Sequence, residues 1–296
     1  MKKIIAIVLA IITIVGCVFA FTGCNKDGKK TIYIGVQAGT TGEAFVEGDE
    51  EIGFAGIPNA KASSYDTIGL AVNEIKSGNI QYAVCDKETA LNLVAANPND
   101  IKVIDIDLTV EQYAIGIGKN STALKDDING ILAELLEDGT IAAIYAAYAN
   151  IVLSDDEITA STPDSDIYVG INQGNKNASN KLVVATNAEY PPYEYKVGNK
   201  FYGIDMEIAK IIATRLGKEL IISDMNFESV VTAVQKGDAD IALACLTVTP
   251  VREKSVNFST PYKAGASQVL IVKKSDTDFD ACKTVDDIMA VFKSLK

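Results

Sequence analysis

The sequence predicts an α/β protein made of two lobes, each a mostly parallel sheet with helices on its faces. Short β-branched strands alternate with amphipathic helices over residues 31–152 and again from residue 182 onward, which is the pattern of βαβ units. Residues 153–181 lie between these regions, are rich in Asp, Ser, Asn and Gly, and lack a continuous apolar face. The 296 residues are enough for two compact units.

The composition excludes several classes of function. The formal net charge is −12, so a nucleic-acid partner is not expected, because phosphate binding needs clustered Lys and Arg. The chain has no histidine, which argues against a zinc site and a His-based catalytic triad. No metal and no cofactor are therefore expected.

The N-terminus predicts export and membrane anchoring. A basic "MKK" precedes a long apolar run ending in "FTGC", and polar residues follow Cys24; this is typical of a secretory signal. The stretch is similar to a bacterial lipobox, which implies a signal peptide over residues 1–23, a diacylglyceryl group on Cys24, and a tether over residues 24–30. "IVGC" at Cys17 also matches, but apolar residues follow it. A retained transmembrane anchor is the alternative. Either reading places the rest of the chain outside the cytoplasm. The expected location is the extracellular face of the cell membrane, as in a Gram-positive bacterium.

The region before the polar segment predicts strands and helices in alternation. "TIYIGVQ", "IQYAVCD", "IKVIDI" and "YAIGIGK" read as strands. A helix is predicted over "YDTIGLAVNEIKSG", with Gly78 at its C-terminal end. Two further helices are separated near Gly139. The apolar residues at helical spacing in the first helix are Ile68, Ala71, Val72 and Ile75.

The alternation resumes after the polar segment, which itself has one candidate short strand at "IYVGI". "LVVATN", "ELIIS", "ADIALA" and "SQVLIVKK" read as strands, and "IDMEIAKIIATRLG" and "ESVVTAVQKG" as helices. A last helix is predicted over "TVDDIMAVFKSLK", with Thr284 as its N-cap and two aspartates in its first turn.

An internal similarity predicts a cleft between the lobes. "YDTIGLAVNEIKSGNIQYAVCD" and "FESVVTAVQKGDADIALACLT" share an order of aromatic residue, apolar helix, Lys near Gly, and buried strand. Asp86 ends the first unit and Thr247 the second. Because ligands bind at the carboxyl ends of strands in open α/β sheets, two such units predict polar groups on both sides of a cleft.

Arg252 is the candidate anion-binding residue from chemistry alone. Arg215 and Arg252 are the two arginines of the chain, and lysine does not replace arginine in planar, bidentate carboxylate binding. Arg215 lies on an amphipathic helix and is expected to face solvent. Arg252 follows a buried strand and a cluster of hydroxyls.

The Gly-Thr turn in "VQAGTTGEAF" is a second candidate for anion binding, because it is predicted to open a helix with free backbone N–H groups. A simple tight loop is the alternative. The turn matches neither G-x-G-x-x-G nor a Walker loop, so nucleotide binding is set aside.

Several motifs in one chain resemble the family 3 extracellular solute-binding proteins, the amino-acid-binding components of ABC importers. They include "TNAEYPPYEY", "GIDMEIAKIIATRLGKEL", "VVTAVQKGDADIALACLTVTPVREKSVNFSTPY", "GVQAGTTGEAF" and "YAIGIGK". The resemblance implies a type II periplasmic-binding-protein-like fold, with two doubly wound lobes that close around a ligand.

The order of these motifs differs from the family pattern, because the second lobe comes first. This order is expected from a circular permutation, in which old termini are joined and new ones opened; a fusion of halves from two proteins is the alternative. The two hinge strands are predicted at "YAIGIGK" and "SQVLIVKK". The predicted boundaries are the second lobe at 31–112, a hinge strand and first-lobe helices at 113–152, a linker at 153–181, the first lobe at 182–266, and a hinge strand with return to the second lobe at 267–296.

The resemblance also implies ligand contacts, motif by motif. Arg252 and Thr247, through its hydroxyl and backbone, would bind the α-carboxylate from the first lobe, and the Thr40–Thr41 turn would bind it from the second. Asp86 would pair with the α-ammonium, to which the Cys245 backbone would also accept a bond. The expected pocket walls and side-chain-selecting residues are Tyr190, Phe227, Asn187, Glu189 and Gln37.

Two departures from the family pattern leave specificity open. Asn187 stands where many relatives have Asp. Cys245 replaces a Gly or Ser, and Cys85 precedes Asp86 on the opposite lobe. The two thiols either face each other across the cleft or are small, buried and reduced, and Cys282 is expected to be a lone thiol.

The leading hypothesis is a monomeric, lipid-anchored receptor that closes around a polar amino acid and delivers it to an ABC permease, without catalysis. An enzyme similar to the cyclohexadienyl dehydratases, with Glu189 or Asp86 as general acid, is the second hypothesis. A ligand-sensing module without transport is the third.

Overall fold

The computed structural model describes residues 31–149, 153–154, 157–158, 170–171 and 180–295. The predicted signal peptide, Cys24 and the tether lie outside the described residues, as does most of the predicted linker. Within the described part, no helix combines the length and the apolar character needed to cross a bilayer.

Strands and helices alternate along the described chain. The strands are β1 (Ile32–Gln37), β2 (Ala60–Tyr65), β3 (Tyr82–Asp86), β4 (Ile101–Ile104), β5 (Glu111–Tyr113), β6 (Gly116–Gly118), β7 (Leu153–Ser154), β8 (Glu157–Ile158), β9 (Gly170–Ile171), β10 (Lys181–Thr186), β11 (Glu189–Tyr190), β12 (Glu194–Val197), β13 (Lys200–Tyr202), β14 (Glu219–Asp224), β15 (Ile241–Ala242), β16 (Val256–Phe258), β17 (Lys263–Ala266) and β18 (Gln268–Lys273). The helices are α1 (Thr41–Glu47), α2 (Ile68–Ser77), α3 (Lys87–Ala96), α4 (Thr122–Glu137), α5 (Thr140–Tyr148), α6 (Ile204–Arg215), α7 (Phe227–Lys236), α8 (Pro250–Glu253) and α9 (Val285–Ser294).

Two sheets define two lobes, as the sequence predicts. The five-stranded lobe has the strand order β2-β1-β3-β18-β4, and the six-stranded lobe has the order β16-β6-β15-β10-β14-β9. The central pairs β1–β3 and β10–β15 are parallel, and β18 joins its sheet antiparallel to β3 and β4. The carboxyl ends of β3 and β15 therefore carry Asp86 and the Cys245–Thr247 segment to the space between the lobes.

The chain crosses between the lobes at a short antiparallel pair, β5 with β17. This corrects the predicted hinge strands. "YAIGIGK" is not one strand, because β5 pairs with β17 whereas β6 pairs with β15 and β16. "SQVLIVKK" does not cross: β18 is bonded to β3 and β4 inside the five-stranded lobe. The crossing strand is β17, just before it.

The predicted linker is also shorter at its C-terminal end than expected. Lys181 begins β10 and pairs with Glu219 of β14, so it belongs to the six-stranded lobe. The candidate strand in "IYVGI" is present as β9, which adds to the edge of the same sheet through β14.

Local signals place the helix ends where the sequence predicts them. The residues following α2 and α7, Gly78 and Gly237, have the left-handed conformation and donate to the last helical carbonyls, as a C-terminal glycine does. Gly139 is also left-handed and separates α4 from α5. Thr284 caps α9 in a capping box with Asp287.

The core of the five-stranded lobe includes the terminal helix. Phe292 of α9 is fully buried, and its ring meets Tyr82 of β3 edge-on at 5.3 Å between centroids. Burial of such a side chain contributes roughly 1.5–3 kcal/mol. The last residues described therefore pack on the lobe that begins at β1.

Candidate functional site

A narrow cavity lies between the two lobes. Its volume is about 10 Å³, room for about one water molecule, so the lobes are closed on each other. The lining residues come from both lobes: Gln37, Thr40, Thr41, Asp86, Tyr190, Glu194, Phe227, Ala244, Cys245, Thr247 and Arg252.

Most of the residues predicted from the sequence to bind a ligand line this cavity, but three do not. Asn187 is buried behind Gln37, whose Nε2 donates to Asn187 Oδ1 at 2.7 Å across the lobes. Glu189 is exposed. Cys85 is buried in β3, where its thiol donates to the Asp86 carbonyl at 3.6 Å.

Arg252 supplies the positive charge of the cavity. The guanidinium donates to the Thr247 carbonyl at 2.9 Å and to the Gly39 carbonyl of the opposite lobe at 3.1 Å. It also lies over the ring of Phe227, 5.3 Å from its centroid, within range of a cation–π interaction. Burial lowers the pKa of Arg252 to about 10, so the group stays charged at neutral pH.

Asp86 supplies a negative charge from the five-stranded lobe. Its carboxylate accepts hydrogen bonds from the Tyr113 and Tyr190 hydroxyls and from Gln268 Nε2 at 2.9 Å. Burial, followed by repulsion from Glu111, raises the pKa of Asp86 to about 7, against the opposing effect of the two tyrosine hydroxyls. The carboxyl therefore titrates near neutral pH.

The two threonine motifs converge on one carboxylate that the sequence analysis missed. Thr41 Oγ1 donates to Glu111 Oε2 at 2.9 Å, and Thr247 Oγ1 donates to the same atom at 2.6 Å. The Thr247 hydroxyl, expected to contact a ligand carboxylate, is directed to Glu111 in this conformation. Thr40 caps α1 and donates to the Gln37 carbonyl at 2.7 Å.

Glu194, Asp205 and Cys245 form a buried acidic cluster beside the cavity, which the sequence analysis also missed. Asp205 Oδ2 accepts from the Cys245 amide at 2.8 Å and from the Tyr262 hydroxyl at 2.9 Å. The Cys245 thiol lies 3.6 Å from Glu194 Oε2. Because Cys245 has a φ of 43°, an unusual backbone conformation for a non-glycine residue, its side chain is directed to this cluster rather than to Cys85.

The cluster has the spacing of a metal site, and burial raises the pKa values of its two carboxyls. Its ligand atoms lie within 4.8 Å of one another. Burial and repulsion from Asp205 raise the pKa of Glu194 well above its usual range, and burial raises that of Asp205 to about 7. A protonated Glu194 can donate a hydrogen bond to the Asp205 carboxylate.

A glycine holds this cluster in place. Gly203, just before α6, has a φ of 122°, and a Cβ there would lie 2.1 Å from the Tyr193 carbonyl oxygen. The close approach brings Asp205, in the first turn of α6, next to Glu194. The signal for it in the sequence is the glycine of "YGID", which side-chain chemistry alone does not reveal.

The two lobes, their short connecting strands and the charged cavity between them are the features of a two-lobed binding-protein fold. Residues 182–294 match the model of the bacterial extracellular solute-binding proteins, family 3. This segment is similar to that family, and it makes up less than half of the chain.

Individual relatives match a portion of the chain that is similar in length to the family match. The arginine-binding extracellular protein ArtP of Bacillus subtilis (strain 168) is 38% identical over 112 residues, 38% of this chain and 43% of ArtP. A probable histidine-binding protein of Campylobacter jejuni is 30% identical over 107 residues, 34% of this chain and 42% of that protein. An arginine-bound domain 1 of TmArgBP is 32% identical, with a TM-score of 0.29, and the match covers 39% of this chain and 94% of the domain.

The chain spans less than half the length of the curated relatives it matches. The family match contains Arg252 and Thr247. Asp86 and Thr41 lie before its first residue. One side of the cavity is therefore formed by the matched segment, and the other by residues that precede it.

Proposed function

We propose that the protein captures a polar amino acid between its lobes by hinge closure and delivers it to an ABC permease. The observation that carries the proposal is the pair of opposite charges, Arg252 on the six-stranded lobe and Asp86 on the five-stranded lobe, at one cavity. An amino acid at neutral pH carries the complementary pair of charges on adjacent groups.

Closure follows from the division of these charges between the lobes. Arg252 binds the α-carboxylate, and Asp86 binds the α-ammonium. Only a closed form satisfies both ends of the ligand, so the amino acid stabilises that form by its differential affinity. Because the closed cavity has room for about one water molecule, the lobes have to part to admit the ligand. The bound ligand then replaces bonds that the protein makes internally, including the Arg252 contact with Gly39 and the Tyr190 contact with Asp86.

The names of the matched relatives support an amino-acid ligand with a polar side chain. They include proteins named for binding arginine, histidine and L-cystine. In this chain, amide and carboxyl groups of Gln37 and Glu194 line the cavity beside Tyr190 and Phe227. These groups suit a side chain that both donates and accepts hydrogen bonds.

The proposed location is the outer face of the cell membrane, with Cys24 as the lipid attachment site and the protein as a monomer. The lipobox-like "FTGC" and the family's extracellular members support it. Mass spectrometry of the membrane-bound protein should find a lipidated N-terminal cysteine, and Cys24→Ala should release the protein from the membrane. Retention of the variant in the membrane would favour an uncleaved anchor instead.

The protein as proposed binds its ligand without transforming it. One observation favours the enzymatic alternative: Asp86 has a pKa of about 7, which suits a general acid at neutral pH. Recovery of the bound amino acid unchanged after long incubation, measured by mass spectrometry, supports binding alone. Conversion of a cyclohexadienyl acid would favour a dehydratase.

A circular permutation is the proposed origin of the order of the lobes. The family match is confined to residues 182–294. Its strand β18 nevertheless belongs to one sheet with β1–β4, which precede the match. On the other side, α5 packs against α6, so the residues that flank the predicted linker both lie in the six-stranded lobe. Domain termini that lie close together favour such a rearrangement.

A thermal-shift screen against the amino acids tests the function. A ligand at 100 times its Kd stabilises the folded state by about 2.7 kcal/mol. The stabilising amino acid should lose its effect on Arg252→Ala and keep it on Arg215→Ala, the matched control whose guanidinium pairs with Glu134 on the surface. If no amino acid raises the melting temperature of the wild type, the proposed function is wrong.

A further inference from the structure

The carboxylate of Glu111 lies where both lobes meet their connecting strands. Glu111 begins β5 and is 5% exposed. Its Oε2 atom accepts from Thr41 Oγ1 at 2.9 Å and from Thr247 Oγ1 at 2.6 Å. Thr41 belongs to the five-stranded lobe and Thr247 to the six-stranded lobe, so a single oxygen atom joins the two lobes.

The second oxygen of the same carboxylate fixes its orientation. Glu111 Oε1 accepts from Thr109 Oγ1 at 2.7 Å. Thr109 and Glu111 belong to one short stretch of chain, so this bond orients the carboxylate without joining the lobes. Three hydroxyl donors therefore satisfy this buried group.

The threonines connect Glu111 to the charged groups of the cavity. Thr41 Oγ1 accepts from Gln268 Nε2 at 3.2 Å, and the same nitrogen lies 2.9 Å from Asp86 Oδ1. On the other lobe, the Thr247 carbonyl accepts from Arg252 at 2.9 Å. The bonds to Glu111 therefore hold the segments that carry the negative and the positive group of the cavity.

Parting of the lobes has to break at least one of the two bonds to Oε2. The atom cannot remain within hydrogen-bonding distance of Thr41 and Thr247 when these residues separate. Each hydroxyl has one proton to donate, and both protons are committed to Glu111 in the closed form. In an open form, the two hydroxyls can no longer both donate to the same oxygen atom of Glu111.

We propose that Glu111 is a positioning residue that latches the closed form by holding Thr41 and Thr247 together. The inference rests on the proposed function, in which closure completes the amino-acid site. The latch uses hydrogen bonds within the protein, whereas the amino acid adds its contacts to Arg252 and Asp86. Closure is thus favoured before the ligand contributes.

Small-angle X-ray scattering of the full-length protein without added amino acid tests the latch. Glu111→Gln, Thr41→Val and Thr247→Val should each increase the radius of gyration. Thr41→Ser and Thr247→Ser keep the hydroxyl and should match the wild type. Thr109→Val is the control for the loss of a donor to Glu111, and it should leave the lobes closed. The Thr109 hydroxyl also accepts from the Gln268 amide at 2.9 Å, but both of its bonds lie outside the contact between Thr41 and Thr247.

Calorimetry with the amino acid found in the screen adds a second readout. Glu111→Gln should weaken binding at least about tenfold, within the usual range of coupling between sites. The double variant Glu111→Ala/Thr41→Val should be no more open than Glu111→Ala alone, because Glu111→Ala has already removed the bond from Thr41.

Two results would overturn the latch. One is a Glu111→Gln protein with the radius of gyration and affinity of Thr109→Val. The other is a Thr41→Val substitution that increases the radius of gyration further in a protein in which Glu111 has already been replaced. The scattering measurement uses no amino acid, so a wild type that binds none would overturn the proposed function and leave the test of the latch intact.

Discussion

At the scale of single residues, the site is built from carboxyl groups that are kept away from water. Asp86 and Asp205 each have a pKa of about 7, mainly because they are buried. Burial disfavours the charged form of a carboxyl. Proton uptake by these residues therefore links the pH both to ligand binding and to stability.

The affinity for an amino acid should fall as the pH drops below about 7. Asp86 binds the ammonium only when it is ionised, and its pKa of about 7 means that protonation removes the charge under mildly acidic conditions. One linked proton predicts a loss of about tenfold per pH unit. Calorimetric titrations between pH 5 and 8 measure this slope.

Asp86→Asn is the control for that profile. It should bind weakly at every pH and give a flat profile over the same range. A wild-type affinity that does not change between pH 8 and pH 5 would show that Asp86 does not pair with the ammonium.

The folded state should become more stable as the pH falls from 8 toward 5. The pKa of Asp205 is raised from 3.8 to about 7 on folding, so the native protein binds more protons than the unfolded chain in this window. Stability then decreases as the pH rises through it. Asp205→Asn should reduce this dependence, by up to about 4 kcal/mol at pH 8, in urea unfolding.

Asp238→Asn is the matched control, because it makes the same chemical change at an exposed aspartate. It should leave the pH dependence as in the wild type. A wild type that loses stability steadily from pH 8 to pH 5 would contradict the assigned protonation of the cluster.

The sequence locates the residues at strand ends but not those that act through tertiary contacts. Asp86 and Arg252 follow buried strands, and that position places them at the cavity. Glu111 could not be found in this way, because its donors Thr41 and Thr247 are 70 and 136 residues away. Glu189 was expected at the cavity and is exposed, since a turn alone does not fix which way its side chain points.

At the scale of elements, local signals predict the helices better than they predict the crossing strands. Gly78 and Gly237 end helices through a local backbone conformation, which the sequence reveals. β5 and β17 are short and defined by their pairing with each other. "SQVLIVKK" is more apolar than either crossing strand. It is buried because β18 lies between β3 and β4 in the five-stranded sheet, and not because it crosses between the lobes.

The capping box of α9 should contribute measurably to stability. Thr284 Oγ1 accepts from the Asp287 amide at 3.2 Å, and Asp287 Oδ2 accepts from the Thr284 amide at 3.0 Å. Thr284→Ala should lower the free energy of unfolding by about 1 kcal/mol, measured in urea.

Ser121→Ala is the matched control for this cap. Ser121 occupies the N-cap of α4 but makes no side-chain capping bond, so its loss should cost less than about 0.5 kcal/mol. Equal losses in the two variants would mean that the Thr284 side chain does not cap α9.

At the scale of the whole molecule, the two lobes are joined at a short strand pair while the site is divided between them. The matched family segment supplies Thr247 and Arg252 on one side of the cavity, and the residues before it supply Thr41 and Asp86 on the other. The proposed circular permutation would produce this division, because it changes the chain order without changing which elements pack together.

Restoring the family order should therefore preserve binding. A variant with residues 182–296 first and residues 31–152 second, joined by a flexible linker, should fold and bind the same amino acid within about threefold of the wild-type Kd, or about 0.65 kcal/mol. An unfolded or non-binding variant would favour a fusion of two different halves.

The most direct test of the account is a crystal structure of the protein with the amino acid that gives the largest thermal shift. The α-carboxylate is predicted within hydrogen-bonding distance, about 2.7–3.2 Å, of the Arg252 guanidinium, and the α-ammonium within the same distance of Asp86, with the lobes closed. An amino acid bound to one lobe alone, or outside the cavity that contains Arg252 and Asp86, would contradict it.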